Sequence, residues 1–182
     1  DREAIEAFAR ENEAWLPDYA LFMALKRRFG MKPWTEWDDE DIRCRKSPEV
    51  LERCRTELRE DVELFTYIQF LFFRQWYALK AYIHSLGIRI IGDLPIYVAM
   101  DSADVWAEPE MFQLDQHGVP TEVAGVPPDY YSATGQLWGN PVYNWAAHKK
   151  TGYAWWIWRM KSNMALFDVV RLDHFRGFAA YW

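Results

Sequence analysis

Two short runs of β-branched and aliphatic residues, each ending at a carboxylate, place the strongest constraint on the fold of this chain. They are residues 88–93 (IRIIGD) and residues 167–173 (FDVVRLD). Apolar residues at helical spacing precede both runs, over residues 61–86 and 151–166. The order helix, strand, long loop, helix, strand is the βα alternation of a parallel sheet or barrel. We therefore predict an α/β fold in which the two runs are parallel strands.

The first 60 residues have a different pattern from the rest of the chain. Residues 1–63 hold 17 acidic and 12 basic side chains, with apolar positions at helical spacing and three prolines between them. Ser47 followed by Pro48 is typical of an N-cap and a first helical residue, so a charged helix should run from there toward Glu60. We predict a helical subdomain over residues 1–60. The next helix, residues 61–86, has apolar residues on most sides and is predicted to be buried over most of its circumference.

The connection between the two predicted strands is unusually long. Residues 93–150 contain six of the nine prolines and no clear helical or strand pattern. Structureless connections of this length in compact domains are usually functional, and in a barrel the loops after the strands build the active face. We expect residues 93–150 to be a long active-site loop.

Charge and composition exclude several classes of partner. The net charge is −6, and residues 91–148 hold eight Asp or Glu and no Lys or Arg, so nucleic acid and anionic membranes are poor partners. No uncharged stretch resembles a membrane span of about 20 residues. Cys44 and Cys54 fit neither a disulfide framework nor zinc spacing, so we expect free thiols in a soluble, cytoplasmic protein. The chain opens with Asp1 inside a helical pattern, so we expect a piece of a longer protein.

The two strand ends carry the candidate catalytic groups. Asp93 and Asp173 stand where barrel enzymes place catalytic side chains, and Arg171 precedes Asp173 by two residues on the same strand face. A neighbouring arginine lowers the pKa of a carboxyl group and keeps it ionised, as a nucleophile requires. An Arg–Asp pair that only closes the end of a strand explains the same spacing equally well.

An aromatic loop suggests a sugar ligand. Residues 127–131 (PPDYY) and 135–141 (GQLWGNP) alternate rings with amide and carboxylate groups, in a chain with 11 Trp, 10 Tyr and 11 Phe. Sugar C–H faces stack on rings, and sugar hydroxyls need planar hydrogen-bonding groups. The alternative is a rigid loop whose rings bury themselves. A metal site is disfavoured, because His174 has no second histidine at a zinc spacing.

Four blocks in one order carry a more specific resemblance. They are residues 92–99 (GDLPIYVA), 101–106 (DSADVW), 125–143 and 170–178 (VRLDHFRGF). Together they resemble the 4-α-glucanotransferases (amylomaltases, or disproportionating enzymes) of the α-amylase clan. The resemblance covers at least residues 60–182, and the helical first 60 residues are consistent with this family's inserted helical subdomain.

The resemblance implies that residues 61–182 are part of a catalytic (β/α)8 TIM barrel. Such an enzyme cuts an α-1,4-glucan, holds the glucosyl piece covalently and passes it to glucose or a maltooligosaccharide, without a cofactor or metal. By its place in the motif, Asp173 is the nucleophile and Arg171 is its partner. The residues implied in substrate binding are Asp93, Asp129, Tyr130, Tyr131, Gln136, Trp138, Asn140 and His174.

The resemblance also leaves one catalytic group unaccounted for. A retaining glycosidase needs an acid about 5 Å from the nucleophile, to protonate the leaving oxygen. In this family that Glu, and a further His-Asp pair, come from strands after the one that carries the nucleophile. We therefore expect this chain alone to be inactive. Two other readings stay open: a glucan-binding segment without chemistry, and a barrel enzyme with Asp93 and Asp173 as metal ligands.

Overall fold

The computed structural model describes residues 2–45 and 47–180, which separate into two compact units. The helical unit comprises Asp1–Leu79 and Asp101–Ala107. The sheet unit comprises Lys80–Met100 and Glu108–Trp182. The domain boundary at residue 60 that the sequence suggests stays a prediction.

Short helices build most of the helical unit, as the sequence predicts. Ser47 caps one of them: its Oγ accepts a hydrogen bond from the Val50 N–H at 3.3 Å, and Pro48 is the first helical residue. This capped helix ends at Glu57. The helices are α1 (Arg2–Glu11), α2 (Leu16–Arg28), α3 (Glu40–Arg43), α4 (Pro48–Glu57), α5 (Arg59–Ser85, which continues into the sheet unit) and α6 (Ala103–Ala107).

The core of the helical unit forms around α2 and three buried tryptophans, Trp34, Trp37 and Trp106. Trp106 lies in the second motif block and belongs to α6. Its ring packs against Phe22 of α2, and its Nε1 donates to the Ile42 carbonyl at 3.2 Å. The motif of residues 101–106 therefore contributes to the packing of the helical unit.

Helix α5 is buried far less than the sequence predicts. Phe70 is its only buried residue among those described, whereas Leu64, Ile68, Phe72, Tyr77 and Leu79 are 41–49% exposed. The portion of α5 in the helical unit packs against α1, where Phe8 contacts the Phe70 and Phe73 rings. It also meets α2, where Gln69 Nε2 donates to the Tyr19 hydroxyl at 3.1 Å. The expectation of burial over most of the circumference is wrong, because apolar spacing shows which faces need a partner and not whether a partner is present.

A βαβ arrangement organises the sheet unit and confirms the predicted parallel strands. β1 (Ile91–Leu94) and β4 (Val169–Leu172) pair in parallel from Ile91↔Val169 to Leu94↔Leu172, and α8 (Ala154–Leu166) packs on both. Both strands are shorter than the sequence runs that predict them. Gly92 is required here, because a Cβ at this position would collide with the Phe167 ring.

The long connection is more ordered than expected. It contains α6, the antiparallel hairpin of β2 (Val123–Val126) and β3 (Gln136–Pro141), and α7 (Trp145–Lys150). Gly135 closes this hairpin with φ of +75°, and a Cβ there would lie 2.6 Å from the Val126 carbonyl oxygen. The description of residues 93–150 as structureless is therefore wrong. Their Pro, Gly and Asn content reflects turns between short elements.

Two sequence expectations concern properties of the whole chain. Cys44 and Cys54 are both free thiols. Across the part of the chain that the structure describes, no helix combines the length and apolar character needed to cross a membrane.

Candidate active site

A cluster of three charged side chains lies toward the carboxyl ends of the two parallel strands. The register places Asp93 of β1 directly opposite Arg171 of β4. Arg171 Nε donates to Asp93 Oδ1 at 2.8 Å, and its Nη2 donates to Asp93 Oδ2 at 3.1 Å. The same Nη2 donates to Asp173 Oδ1 at 3.1 Å. One guanidinium therefore holds two carboxylates in one place.

This charge cluster is open to solvent. The side chains of Arg171, Asp93 and Asp173 are 63%, 58% and 57% exposed. The pKa of Arg171 is raised above its usual value, first by the hydrogen bonds that it donates to Asp93 and then by the charges of both carboxylates. Arg171 is therefore always a cation, and both carboxylates are within reach of a large polar ligand.

The structure brings Arg171 and Asp173 together as the strand alternation predicts. The bidentate bond to Asp93, which is 78 residues away in sequence, follows from the parallel register and was not predicted. The guanidinium bonds both carboxylates, so it occupies the place that a metal ion bridging Asp93 and Asp173 would need. Within residues 2–45 and 47–180, no group of three or more His, Cys, Asp or Glu is placed to hold a metal ion.

An aromatic surface adjoins the charge cluster through the Asp173–His174 peptide. The His174 ring meets the Trp138 ring edge-on, with centroids 5.0 Å apart. Trp138 Nε1 donates to Gln136 Oε1 at 2.9 Å. His174 has φ of +48°, a left-handed conformation that turns the chain sharply after β4. The hairpin and the turn after β4 thus bring together Gln136 and Trp138 from one motif block and His174 from another.

The tip of the hairpin presents two rings to solvent. Asp129 Oδ1 accepts hydrogen bonds from the Tyr131 and Ser132 N–H groups at 2.8 Å, which fixes the turn. Tyr130 and Tyr131 are 99% and 90% exposed, and among the described rings they contact only each other. The alternative of a loop that buries its own rings is wrong for this tip.

Asn140 is placed differently from the other predicted binding residues. Its Nδ2 donates to the Val98 carbonyl at 2.8 Å, so part of its amide holds the segment after β1. Its assignment to substrate binding stays a prediction.

Sequence reasoning missed Tyr97, which is buried beneath the aromatic surface. Its ring meets Trp138 edge-on at 6.3 Å and stacks on Tyr143 at 6.0 Å. Tyr97 lies within the motif of residues 92–99, but a tyrosine after a strand carries no local signal of such a role.

A sequence profile of the 4-alpha-glucanotransferase family matches residues 1–182. The chain belongs to this family. The family resemblance inferred from the four motif blocks is thereby confirmed.

Known 4-alpha-glucanotransferases are similar to the whole of this chain. The enzyme of Thermus thermophilus is 56% identical over 184 residues, and that of Aquifex aeolicus is 53% identical over 180 residues. These matches cover 100% and 99% of this chain but only 36% of each relative. The structure of an amylomaltase from Streptococcus agalactiae in complex with acarbose matches with a TM-score of 0.94 and 46% identity, over 100% of this chain and 36% of that one.

The chain thus spans about a third of the length of the 4-alpha-glucanotransferases it matches. Its mixture of helices and strands corresponds to a segment of such an enzyme. A glucan-binding segment without chemistry is not favoured, because these relatives are named as transferases.

Proposed function

We propose that this chain is the nucleophile-bearing segment of a (β/α)8-barrel 4-alpha-glucanotransferase. The enzyme would cut an α-1,4-glucan and transfer the glucosyl piece to glucose or a maltooligosaccharide. The observation that carries this proposal is the guanidinium of Arg171, bonded to both Asp93 and Asp173 at the carboxyl ends of parallel strands. Barrel enzymes place their catalytic groups at this end of the strands.

Asp173 is the proposed nucleophile. In the first step its carboxylate oxygen forms a bond to the anomeric carbon, while the bond from that carbon to the glycosidic oxygen breaks. The departing oxygen takes a proton from the separate acid/base carboxyl group. An acceptor hydroxyl then attacks the same carbon, returns a proton to that group and releases Asp173. Arg171 directs the carboxylate, because its guanidinium is a permanent cation and donates a hydrogen bond to Asp173 Oδ1.

Asp93 has a supporting role in this scheme. It takes two of the hydrogen bonds of Arg171, so it fixes the plane of the guanidinium and thereby the direction of the third bond, to Asp173. With the side chain 58% exposed, Asp93 is also able to accept hydrogen bonds from sugar hydroxyls.

The aromatic surface and the hairpin tip are the proposed glucan contacts. Trp138 is 38% exposed and offers an indole ring, and Tyr130 and Tyr131 offer two further rings. Gln136, Asp129, Asn140 and His174 would bond hydroxyls. The acarbose complex of the similar amylomaltase supports a carbohydrate site in this fold. No step of the scheme requires a cofactor.

We also propose that the acid/base Glu comes from a barrel strand that follows β4, as the family resemblance implies. The purified 182-residue chain should then neither hydrolyse nor disproportionate maltotriose, because a general acid contributes about 10²–10⁴-fold to such reactions. Turnover above that of a mock-purified control would show that the acid lies within the chain.

A trapping experiment tests the nucleophile directly. The complete enzyme is incubated with a slow fluorinated glucosyl donor, digested with a protease and analysed by mass spectrometry. We expect the sugar on the peptide that contains Asp173. The same digest of an Asp173→Asn enzyme is the control and should carry no sugar. A sugar attached to Asp93 or to any other carboxylate would overturn the assignment.

A further inference from the structure

Three side chains from β3, α8 and the loop after β3 fix the segment that follows β1. Arg159 Nη2 donates to the Pro95 carbonyl at 2.8 Å, and its Nη1 donates to the Ile96 carbonyl at 3.0 Å. The Tyr143 hydroxyl donates to the same Ile96 carbonyl at 2.6 Å. With the bond from Asn140 to Val98, three carbonyl groups within four residues are held by side chains.

Arg159 is at the centre of this arrangement. It comes from α8, is 8% exposed, and packs its guanidinium over the Trp155 and Trp156 rings at 5.5 and 4.9 Å. Its Nη1 also approaches the Tyr143 hydroxyl at 3.1 Å. A planar fork with several donors can bond two successive carbonyls at once, whereas a lysine ammonium on a flexible stem holds no such fixed geometry.

The fixed segment supports both sides of the candidate site. Tyr97 follows Ile96 directly and contacts the Trp138 ring. On the other side, a Cβ on Gly177 would lie 3.1 Å from the Tyr97 hydroxyl and 3.2 Å from Ile96 Cγ1, so the turn after β4 packs closely on the same two residues. A shift of residues 95–97 would therefore move Trp138, the turn after β4, or both.

We propose that Arg159 is a positioning residue of the glucan site. It sets the place of Tyr97, and through Tyr97 the place of the Trp138 ring, without touching the sugar. The expected effect on glucan affinity rests on the proposed function, whereas the expected effect on the position of the Trp138 ring does not.

A double-mutant cycle tests the link between Arg159 and Trp138. Affinity for maltopentaose is measured in the complete enzyme carrying Asp173→Asn, which prevents consumption of the sugar. Arg159→Lys should weaken binding about tenfold, because the fork that holds Pro95 and Ile96 is lost. In the Trp138→Ala background the same change should have less than about a twofold effect, since the ring that it displaces is gone.

Val142→Ala is the matched control. Val142 is buried in the sheet unit, so the substitution lowers stability without removing a hydrogen bond to the segment. It should leave maltopentaose affinity unchanged in both backgrounds. If Arg159→Lys weakens binding equally in both backgrounds, or leaves binding unchanged in a folded enzyme, the proposal is wrong. If Arg159→Lys does not fold, Tyr143→Phe removes the hydroxyl bond to Ile96 and should give a smaller loss with the same dependence on Trp138.

A crystal structure of the Arg159→Lys enzyme separates the two proposals. If the complete enzyme carrying Asp173→Asn shows no maltopentaose binding, the proposed function fails. The crystal structure then tests the positioning role of Arg159 without a binding measurement. Displacement of Tyr97 and Trp138 in Arg159→Lys, but not in Val142→Ala, supports it. Unchanged Tyr97 and Trp138 positions overturn it.

Discussion

The two ends of the β1–β4 strand pair carry the same chemistry in different surroundings. At the carboxyl end, Arg171 joins Asp93 and Asp173, and all three side chains are more than half exposed. At the amino end, Asp168 meets His84 at 2.9 Å and Lys80 at 3.9 Å, with only 17% of its side chain exposed. Each end therefore combines a carboxylate with a cation, and the two ends differ in how much of these side chains is exposed.

The hydrogen-bond partners explain the difference. Asp168 Oδ2 accepts from the Ile90 backbone N–H at 2.8 Å, and the Asp168 N–H donates to the Ile90 carbonyl at 2.9 Å. This pair continues the strand ladder by one residue, so Asp168 cannot turn toward a ligand without breaking it. The carboxylates of Asp93 and Asp173 accept their hydrogen bonds from the Arg171 side chain, and such a contact can be exchanged for a hydrogen bond to a ligand. The amino end therefore stabilises the sheet, whereas the carboxylates at the carboxyl end are available to a ligand.

The largest expected effect is at the carboxyl end. Asp173→Asn keeps the shape of the side chain and removes its charge, so transfer by the complete enzyme should fall by several orders of magnitude. The melting temperature should hardly change, because Asp173 is exposed. Transfer assays with maltotriose and thermal unfolding measure the two quantities. Near-normal transfer would contradict the nucleophile assignment.

Asp93→Asn tests the other carboxylate of the charge cluster. The amide oxygen still accepts one hydrogen bond from Arg171, so the loss of transfer should be clearly milder than for Asp173→Asn. Equal losses in the two variants would show that the whole charge cluster acts as one unit.

A smaller effect is expected at Trp138, next to the carboxyl end. Trp138→Ala in the Asp173→Asn enzyme should weaken maltopentaose binding by about 1–3 kcal/mol, the scale of removing a large apolar contact. Thermal stability should change little, since Trp138 is 38% exposed. Tyr82→Ala removes another exposed ring of the sheet unit and should leave binding intact. A large fall in melting temperature with unchanged binding would mean that Trp138 belongs to the core.

The smallest effect is expected at the amino end. Asp168→Asn should lower the melting temperature by a few degrees and leave transfer intact at temperatures where the enzyme is folded. The bond from the Ile90 N–H, then that from His84, hold the pKa of Asp168 below its usual 3.8. Because the folded-state pKa is the lower one, this stabilisation is complete above about pH 4 and is lost as the pH falls through the folded-state pKa.

Unfolding of the native and Asp168→Asn enzymes across pH measures this contribution. The stability difference between them should be constant at neutral pH and should shrink below pH 3.8. If folded Asp168→Asn enzyme lost transfer activity, the amino end would contribute to catalysis as well as to stability, which contradicts this comparison.

Local sequence was sufficient for the features that depend on a few neighbouring residues. The Ser47–Pro48 pattern located a helix start, the β-branched runs located β1 and β4, and the spacing of two put Arg171 and Asp173 on one strand face. The motif blocks identified the family. Each of these signals is contained in a short segment, because caps and strand alternation depend on near neighbours.

Tertiary structure decided the features that join distant segments. The register of β1 against β4 places Asp93 opposite Arg171, and a shift of one residue would have turned it to the other face. The exposure of α5 and the contacts of Tyr97 and Arg159 likewise depend on what packs nearby. Sequence periodicity shows which side chains need a partner, whereas only the folded chain determines which partner they meet.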